Sequence, residues 1–80
     1  MKITILFFGV AHELTGVRQL PFELVSPMNT EELRRILADR YAGLNSSLGY
    51  AMAVNEVFCN ELRELKDGDV VAILPPVSGG

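Results

Sequence analysis

The chain has 80 residues, of which 49% are hydrophobic, and a formal net charge of −3. This length suits one domain with one core, and a chain of this size buries only about 60 to 65% of the surface that its unfolded form exposes. An acidic chain without a cluster of lysine and arginine lacks the attraction on which nucleic-acid binding depends, so nucleic acid is not an expected partner.

Cysteine usage and the first residues bear on the compartment. The single cysteine, Cys59, cannot form an internal disulfide, which is typical of an intracellular protein. The opening "MKITILFFG" holds an apolar stretch too short to span a bilayer, and no small-residue cleavage site follows it. We therefore expect a cytoplasmic protein with no membrane partner.

The first predicted element is a strand. "KITILFF" places Ile3, Ile5 and Phe7 on one face, and its second face also becomes apolar toward the end. This pattern predicts a central strand. The segment that follows is bracketed by Gly9 and Gly16, so a turn or a short helical bend is expected there.

The second predicted strand, "RQLPFELV", alternates with Leu20, Phe22 and Leu24 facing inward. Pro21 lies inside it and has no backbone N–H to donate to a neighbouring strand. The strand is therefore predicted to be an edge strand, with the missing donor facing outward.

One amphipathic helix follows. Asn29 and Thr30 are candidate N-caps, Glu31 and Glu32 suit the positive end of a helix dipole, and Gly43 is the expected stop. The apolar residues at helical spacing are Leu33, Ile36, Leu37, Tyr41 and Leu44. Such a helix has one stripe to bury, and the strands are what can cover it.

The last third predicts further strands. "YAMAVNEVFCN" indicates a strand that turns near Asn55 and Glu56 into a second, short strand, and Asp67 and Gly68 mark another turn. Residues 70–74 are apolar on both faces, as in a buried central strand. The order ββαβ(β)β predicts an α+β protein in which a mixed sheet clasps one main helix, the β-grasp or ubiquitin-like fold.

The segment "PPVSGG" is expected to leave the sheet, giving a β-grasp domain over residues 1–74 and an extended tail over residues 75–80. Pro75 and Pro76 have fixed φ angles and no N–H groups, so they end the strand. Gly79 and Gly80 carry no side chains to obstruct a narrow passage. This pattern suggests a tethered carboxylate whose carbonyl becomes electrophilic when a partner converts it to an acyl-adenylate.

The blocks "ILFFGVAHELTG", "AMAVNE" and "LKDGDVVAILPPVSGG" resemble the small subunit of molybdopterin synthase, a family of ubiquitin-like sulfur carriers in molybdenum cofactor biosynthesis. The resemblance runs from the first strand to Gly80. It implies that Gly80 is adenylated by an E1-like adenylyltransferase, thiocarboxylated, and inserted into the large synthase subunit. There the sulfur would pass to cyclic pyranopterin monophosphate, and two deliveries would build the dithiolene of molybdopterin.

The resemblance also implies the partners. They are the large subunit, in a heterotetramer, the E1-like adenylyltransferase, and a sulfurtransferase or cysteine desulfurase. ATP would be used by the activating partner, with no cofactor or metal bound by this chain, which would be a non-catalytic, sulfur-donating subunit of a transferase complex. Within the chain, Gly80 carries the reacting carboxyl group, and the residues that match the family's partner-binding positions are Gly79, Ser78, Val77, Pro76, Pro75 and Phe8.

Other conspicuous residues have simpler interpretations. Cys59 is expected to be a small buried hydrophobe, and His12 a surface side chain without a second metal ligand. Two charged sets are expected to be solvated: Arg34, Arg35, Asp39 and Arg40 on the helix, and Glu61, Arg63, Glu64, Lys66, Asp67 and Asp69 in a loop. Leu6, Phe8 and part of the last strand face away from the helix, which predicts a protein partner on that face unless residues 43–49 cover it.

Three alternatives remain open at this stage. One is a β-grasp sulfur carrier for thiamine synthesis or tRNA thiolation, although the "PPVSGG" ending favours the molybdenum pathway. The second is a protein modifier whose Gly80 forms isopeptide bonds with lysines. The third is a β-grasp binding module whose tail is idle.

Overall fold

The computed structural model describes residues 1–24, 26–41, 44, 50–59 and 62–74. Its elements are β1 (Lys2–Phe7), α1 (Val10–Thr15), β2 (Gln19–Glu23), α2 (Thr30–Arg40), β3 (Ala51–Val54), β4 (Val57–Phe58) and β5 (Val70–Leu74). The strands form one sheet in the order β2-β1-β5-β3-β4, in which β1 and β5 run parallel and the other neighbours antiparallel. The predicted β-grasp arrangement is confirmed, with β5 in the centre of the sheet.

The position of β2 at the sheet edge follows from Pro21. Pro21 lies opposite Thr4 of β1, and β2 has β1 as its one neighbour in the sheet. The missing N–H of the proline therefore costs no ladder hydrogen bond. Leu20 and Phe22 pack against the core from this edge, and Leu24 is buried just beyond it.

Helix α2 begins with a capping box. The Asn29 Oδ1 accepts a hydrogen bond from the Glu32 backbone N–H at 2.9 Å, and Glu32 Oε1 accepts one from the Asn29 N–H at 3.3 Å. The helix ends at Arg40, and the predicted stop at Gly43 lies outside the described residues. No helix in the described ranges has the length and apolar character to cross a membrane.

The core lies between α2 and one face of the sheet. Alternate side chains of β1, β3 and β5 point toward Leu33 and Leu37 of the helix, because successive residues of a strand face opposite sides. The sheet contributes Ile3, Ile5, Phe7, Met52, Val54, Val71 and Ile73, each no more than 3% exposed. Tight packing of these side chains fixes the register of all the interior strands.

The turn between β3 and β4 is held by a side-chain clasp. The Asn55 amide donates to Asp69 Oδ1 at 2.9 Å, and Asn55 Oδ1 accepts from the Val70 N–H at 2.9 Å. Asp69 Oδ2 also accepts from the Lys66 N–H at 2.8 Å. Asp69 is buried, so its predicted solvent exposure was wrong: these donors replace the water that the carboxylate would otherwise need.

This turn also contains backbone strain. Asn55 and Glu56 have φ angles of 51° and 68°, a region that Asn tolerates and Glu does not favour. We expect Glu56→Gly to raise the free energy of unfolding by about 0.5 to 1 kcal/mol, because glycine adopts this angle without strain. Thermal unfolding should show a rise in the melting temperature of about 2 to 8 °C. Asn55→Gly is the control and should lower stability, since it removes the clasp.

Candidate functional site

The face of the sheet opposite α2 carries an apolar row. Leu6 pairs with Ala72, Ala72 with Ala53, and Ala53 with Phe58, so one line of side chains crosses β1, β5, β3 and β4. Residues directly opposite each other in neighbouring strands point to the same face. Because Ile5 and Val71, the neighbours of this row, are buried under α2, the row faces the other way.

Several side chains on this outer face are exposed despite their size. Phe58 is 65% exposed, Phe8 46% and Val70 38%. We call Leu6, Phe8, Phe58, Val70 and Ala72 the outer patch. The predicted exposure is confirmed for Phe8 and Val70, whereas Leu6 and Ala72 are half-buried and Ala53 of the same row is buried. Residues 43 and 45–49, which were the alternative cover, lie outside the described residues, and Leu44 is buried in the core.

Phe8 places the outer patch beside the end of β5. Its backbone N–H donates to the Ile73 carbonyl at 3.1 Å, which extends the parallel pairing of β1 with β5 by one position. Phe8 therefore lies level with Leu74, the last residue of β5. The predicted tail residues, Pro75, Pro76, Val77, Ser78, Gly79 and Gly80, lie outside the described residues.

Leu6 and Phe8 form a wall between two depressions. On one side they line a depression of about 390 Å³ together with Val70, Ala72, Asn55 and Glu56. On the other side they line one of about 380 Å³ whose remaining wall includes Gly9, His12, Arg18 and Gln19. The apolar wall is thus bordered by charged side chains on both sides.

The other predicted residues do not gather into a reactive centre in the described structure. His12 is half-buried in the second depression, and Cys59 follows β4, where it is partly buried and its Sγ lies 3.6 Å from the Val57 carbonyl oxygen. Of the four residues predicted to form a solvated helix face, Arg35, Asp39 and Arg40 are exposed. Arg34 is partly buried.

Arg34 instead supports the segment before β3. Its guanidinium donates to the Tyr50 carbonyl at 3.1 Å and lies 4.5 Å from the centre of the Tyr50 ring. Burial raises the pKa of the Tyr50 hydroxyl above its usual value of 10.0, against the opposing effect of Arg34. The folded state therefore resists ionisation of Tyr50, and this contribution to stability is complete below pH 10 and is lost as the pH rises through the raised pKa.

Two residues of this surface were missed by the sequence interpretation. Phe58 lies in a strand of two residues, too short for alternation to show which face it occupies. Glu56 was placed in a turn, but its position beside Val70 follows from the pairing of β3 with β5. A cross-strand register, which a single sequence does not give, was needed for both.

A five-stranded mixed sheet clasping one main helix, with exposed apolar side chains on the opposite face of the sheet, defines a ubiquitin-like β-grasp domain. The chain belongs to the ThiS family, whose model matches residues 5–80. It is 36% identical to a protein of Chlamydomonas reinhardtii named molybdopterin synthase sulfur carrier subunit, over 100% of both chains. The resemblance stated from the sequence blocks is thereby confirmed.

Solved structures agree with this assignment. A putative molybdopterin converting factor subunit 1 from Pyrococcus furiosus has a TM-score of 0.86 and 28% identity, over 95% of this chain and 98% of its own. A chain from a Helicobacter pylori complex of subunits 1 and 2 of molybdopterin-converting factor has a TM-score of 0.71 and 35% identity, over 100% of both chains. The fold and the family are therefore supported by sequence and by structure.

Proposed function

We propose that this chain is the sulfur carrier subunit of a molybdopterin synthase. The observation that carries the proposal is the match over the full chain to relatives bearing that name, extending through Gly80. The Helicobacter structure shows that a relative of similar length and fold forms a complex with a second subunit. We place this carrier in the cytoplasm, where ATP is available to an activating partner.

In this proposal Gly80 provides the reacting group. Its carboxylate attacks the α-phosphate of ATP in an E1-like adenylyltransferase, which releases pyrophosphate and leaves an acyl-adenylate. The outer sulfur of a persulfide on a sulfurtransferase or cysteine desulfurase then displaces AMP to form an acyl disulfide, and a thiol cleaves its S–S bond, becoming a disulfide and releasing the thiocarboxylate. In the large subunit this sulfur passes to cyclic pyranopterin monophosphate, and two deliveries complete molybdopterin. The folded domain holds and presents the tail.

The outer patch is the proposed docking surface for the large subunit. Phe8 and Phe58 are large apolar side chains left in water, and aromatic side chains are enriched at protein interfaces. Because Phe8 lies level with Leu74, a partner that covers the patch also lies beside the last residue of β5, from which the chain continues to Gly80. Two carriers bound to a dimer of large subunits would give the expected heterotetramer.

The decisive experiment is intact-mass analysis of the chain isolated from cells with a working pathway. A fraction heavier by the exchange of one oxygen for sulfur is the expected result, together with co-purification of the large subunit. Covalent ladders on a denaturing gel would instead support a protein modifier. Sulfur loading without any affinity for the large subunit would instead support a sulfur carrier for thiamine synthesis or tRNA thiolation.

We expect Phe58→Ser to weaken binding of the large subunit about tenfold to a hundredfold, because exposed aromatic residues are frequent hot spots of interfaces. Titration calorimetry with the purified large subunit measures the change. Leu62→Ser is the matched control, since Leu62 is 67% exposed but borders a groove with Met28 and Glu32 at the start of α2. Equal losses in both variants would contradict a docking role for the outer patch.

A further inference from the structure

The charges around the outer patch are arranged with opposite signs on opposite sides. Glu56 is the charged residue that lines the depression on the β5 side of Leu6 and Phe8, within the described part of the chain. Arg18 and His12 line the depression on the other side. The apolar wall between them belongs to both depressions. The surface around Leu6 and Phe8 therefore carries a negative charge on one side and a positive charge on the other.

From this arrangement we infer that the charges at the edges of the outer patch fix the orientation in which the large subunit docks. The inference rests on the function proposed above. It specifies the partner's chemistry: an apolar centre, a lysine or arginine that meets Glu56, and a carboxylate that meets Arg18. The reverse orientation would place like charges together on both sides, and such pairs disfavour a wrong arrangement strongly.

Orientation is a real requirement for this carrier. An apolar patch attracts a partner in any rotation of that partner about the patch, because the free energy of burying apolar surface does not depend on direction. The chain, however, continues toward Gly80 from Leu74, which lies level with Phe8 at one point of the patch perimeter. A partner rotated on the patch would have its reaction site on the wrong side. Charges at opposite edges can fix the rotation of the partner, which the apolar centre alone does not.

The backbone at Glu56 agrees with a role for its carboxylate. Its φ of 68° would suit glycine better, and the clasp between Asn55 and Asp69 holds the turn in that conformation. On the other side, the guanidinium of Arg18 is exposed and suits a carboxylate through two parallel hydrogen bonds. The half-buried His12 imidazole beside it can contribute a further donor or acceptor.

The test measures association rates and Kd between the full chain and the purified large subunit, at low and at high salt. We expect E56Q and R18Q each to slow association about two- to fivefold, because rim charges act mainly on the association rate and exposed ion pairs are of this strength. E56R and R18E should each slow it about tenfold. High salt should remove most of both effects.

Matched controls separate orientation from net charge. D39N and R35Q remove one charge of each sign from the exposed side of α2 and should leave the rates unchanged within about 1.5-fold, as expected for charges remote from an interface. A uniformly basic partner would bind R18Q faster than the unaltered chain, and a uniformly acidic partner would bind E56Q faster. Either acceleration overturns the inference, and so does an effect of D39N equal to that of E56Q.

Failure of the proposed function has a different signature. An unaltered chain that shows no affinity for the large subunit would overturn both proposals. The oriented docking alone would be overturned if the unaltered chain binds the large subunit and the Glu56 and Arg18 variants bind it equally well at low salt. E56G adds a check on folding: it should melt at a higher temperature than the unaltered chain and still associate as slowly as E56Q.

Discussion

Deletion of Gly80 is expected to abolish sulfur loading and delivery while leaving the melting temperature nearly unchanged. The shortened tail would end about 3.3 to 3.6 Å too early, the advance of one extended residue. A misplacement of about 1 Å at a reacting centre can already cost on the order of a hundredfold in rate. The described buried side chains lie between Ile3 and Ile73, so the deletion removes none of them.

Two measurements check this prediction. Intact mass after incubation with the activating partner, ATP and a sulfur donor reports loading, and calorimetric melting reports the fold. Asp39→Asn is the control, because it changes an exposed side chain of α2 and leaves the tail and its final carboxyl group unaltered. Sulfur loading of the deletion variant at the normal rate would show that Gly80 is not the carrier, and a large fall in its melting temperature would contradict a tail that lies outside the core.

The second large effect is expected in the core. Leu33→Ala removes a fully buried side chain of α2 and should lower the free energy of unfolding by about 2 to 5 kcal/mol. A domain of this size has a total stability of roughly 4 to 12 kcal/mol. The variant is therefore expected to lose a large share of its stability, which shows how little reserve a core built on one main helix has.

Denaturant unfolding gives the measurement. The midpoint should fall while the slope with denaturant stays the same, since the same surface is exposed on unfolding. Leu62→Ala is the matched control; its side chain is 67% exposed, so a change within about 0.5 kcal/mol is expected. Equal losses at the two positions would mean that α2 is not packed against the sheet as described.

The sequence predicted the architecture because local rules and tertiary packing agree in this chain. Pro21 alone placed β2 at an edge, alternation placed Ile3, Ile5 and Phe7 in the core, and the cap candidates Asn29 and Thr30 marked the start of α2. Each of these signals acts within a few residues. Predictions from such local signals hold in the folded protein when the apolar faces that they predict pack against one another.

What the sequence did not predict depends on pairing between distant segments. The charge of Asp69 indicated exposure, but Asn55, far away in sequence, supplies a donor that allows its burial. Arg34 was assigned to solvent, but it packs on Tyr50. The charged borders of the candidate docking surface likewise require the register of β3 and β5, which no local pattern contains.

The place of β5 between β1 and β3 has a consequence for biosynthesis. During translation, β1 and β3 are both synthesised before β5, the strand that joins them. Neither can complete its backbone pairing until Leu74 has cleared the exit tunnel, so the nascent chain stays open through most of its synthesis. Assembly of the sheet is thereby coupled to the arrival of the strand that leads into the tail, and an unfinished polypeptide cannot present a mature docking surface.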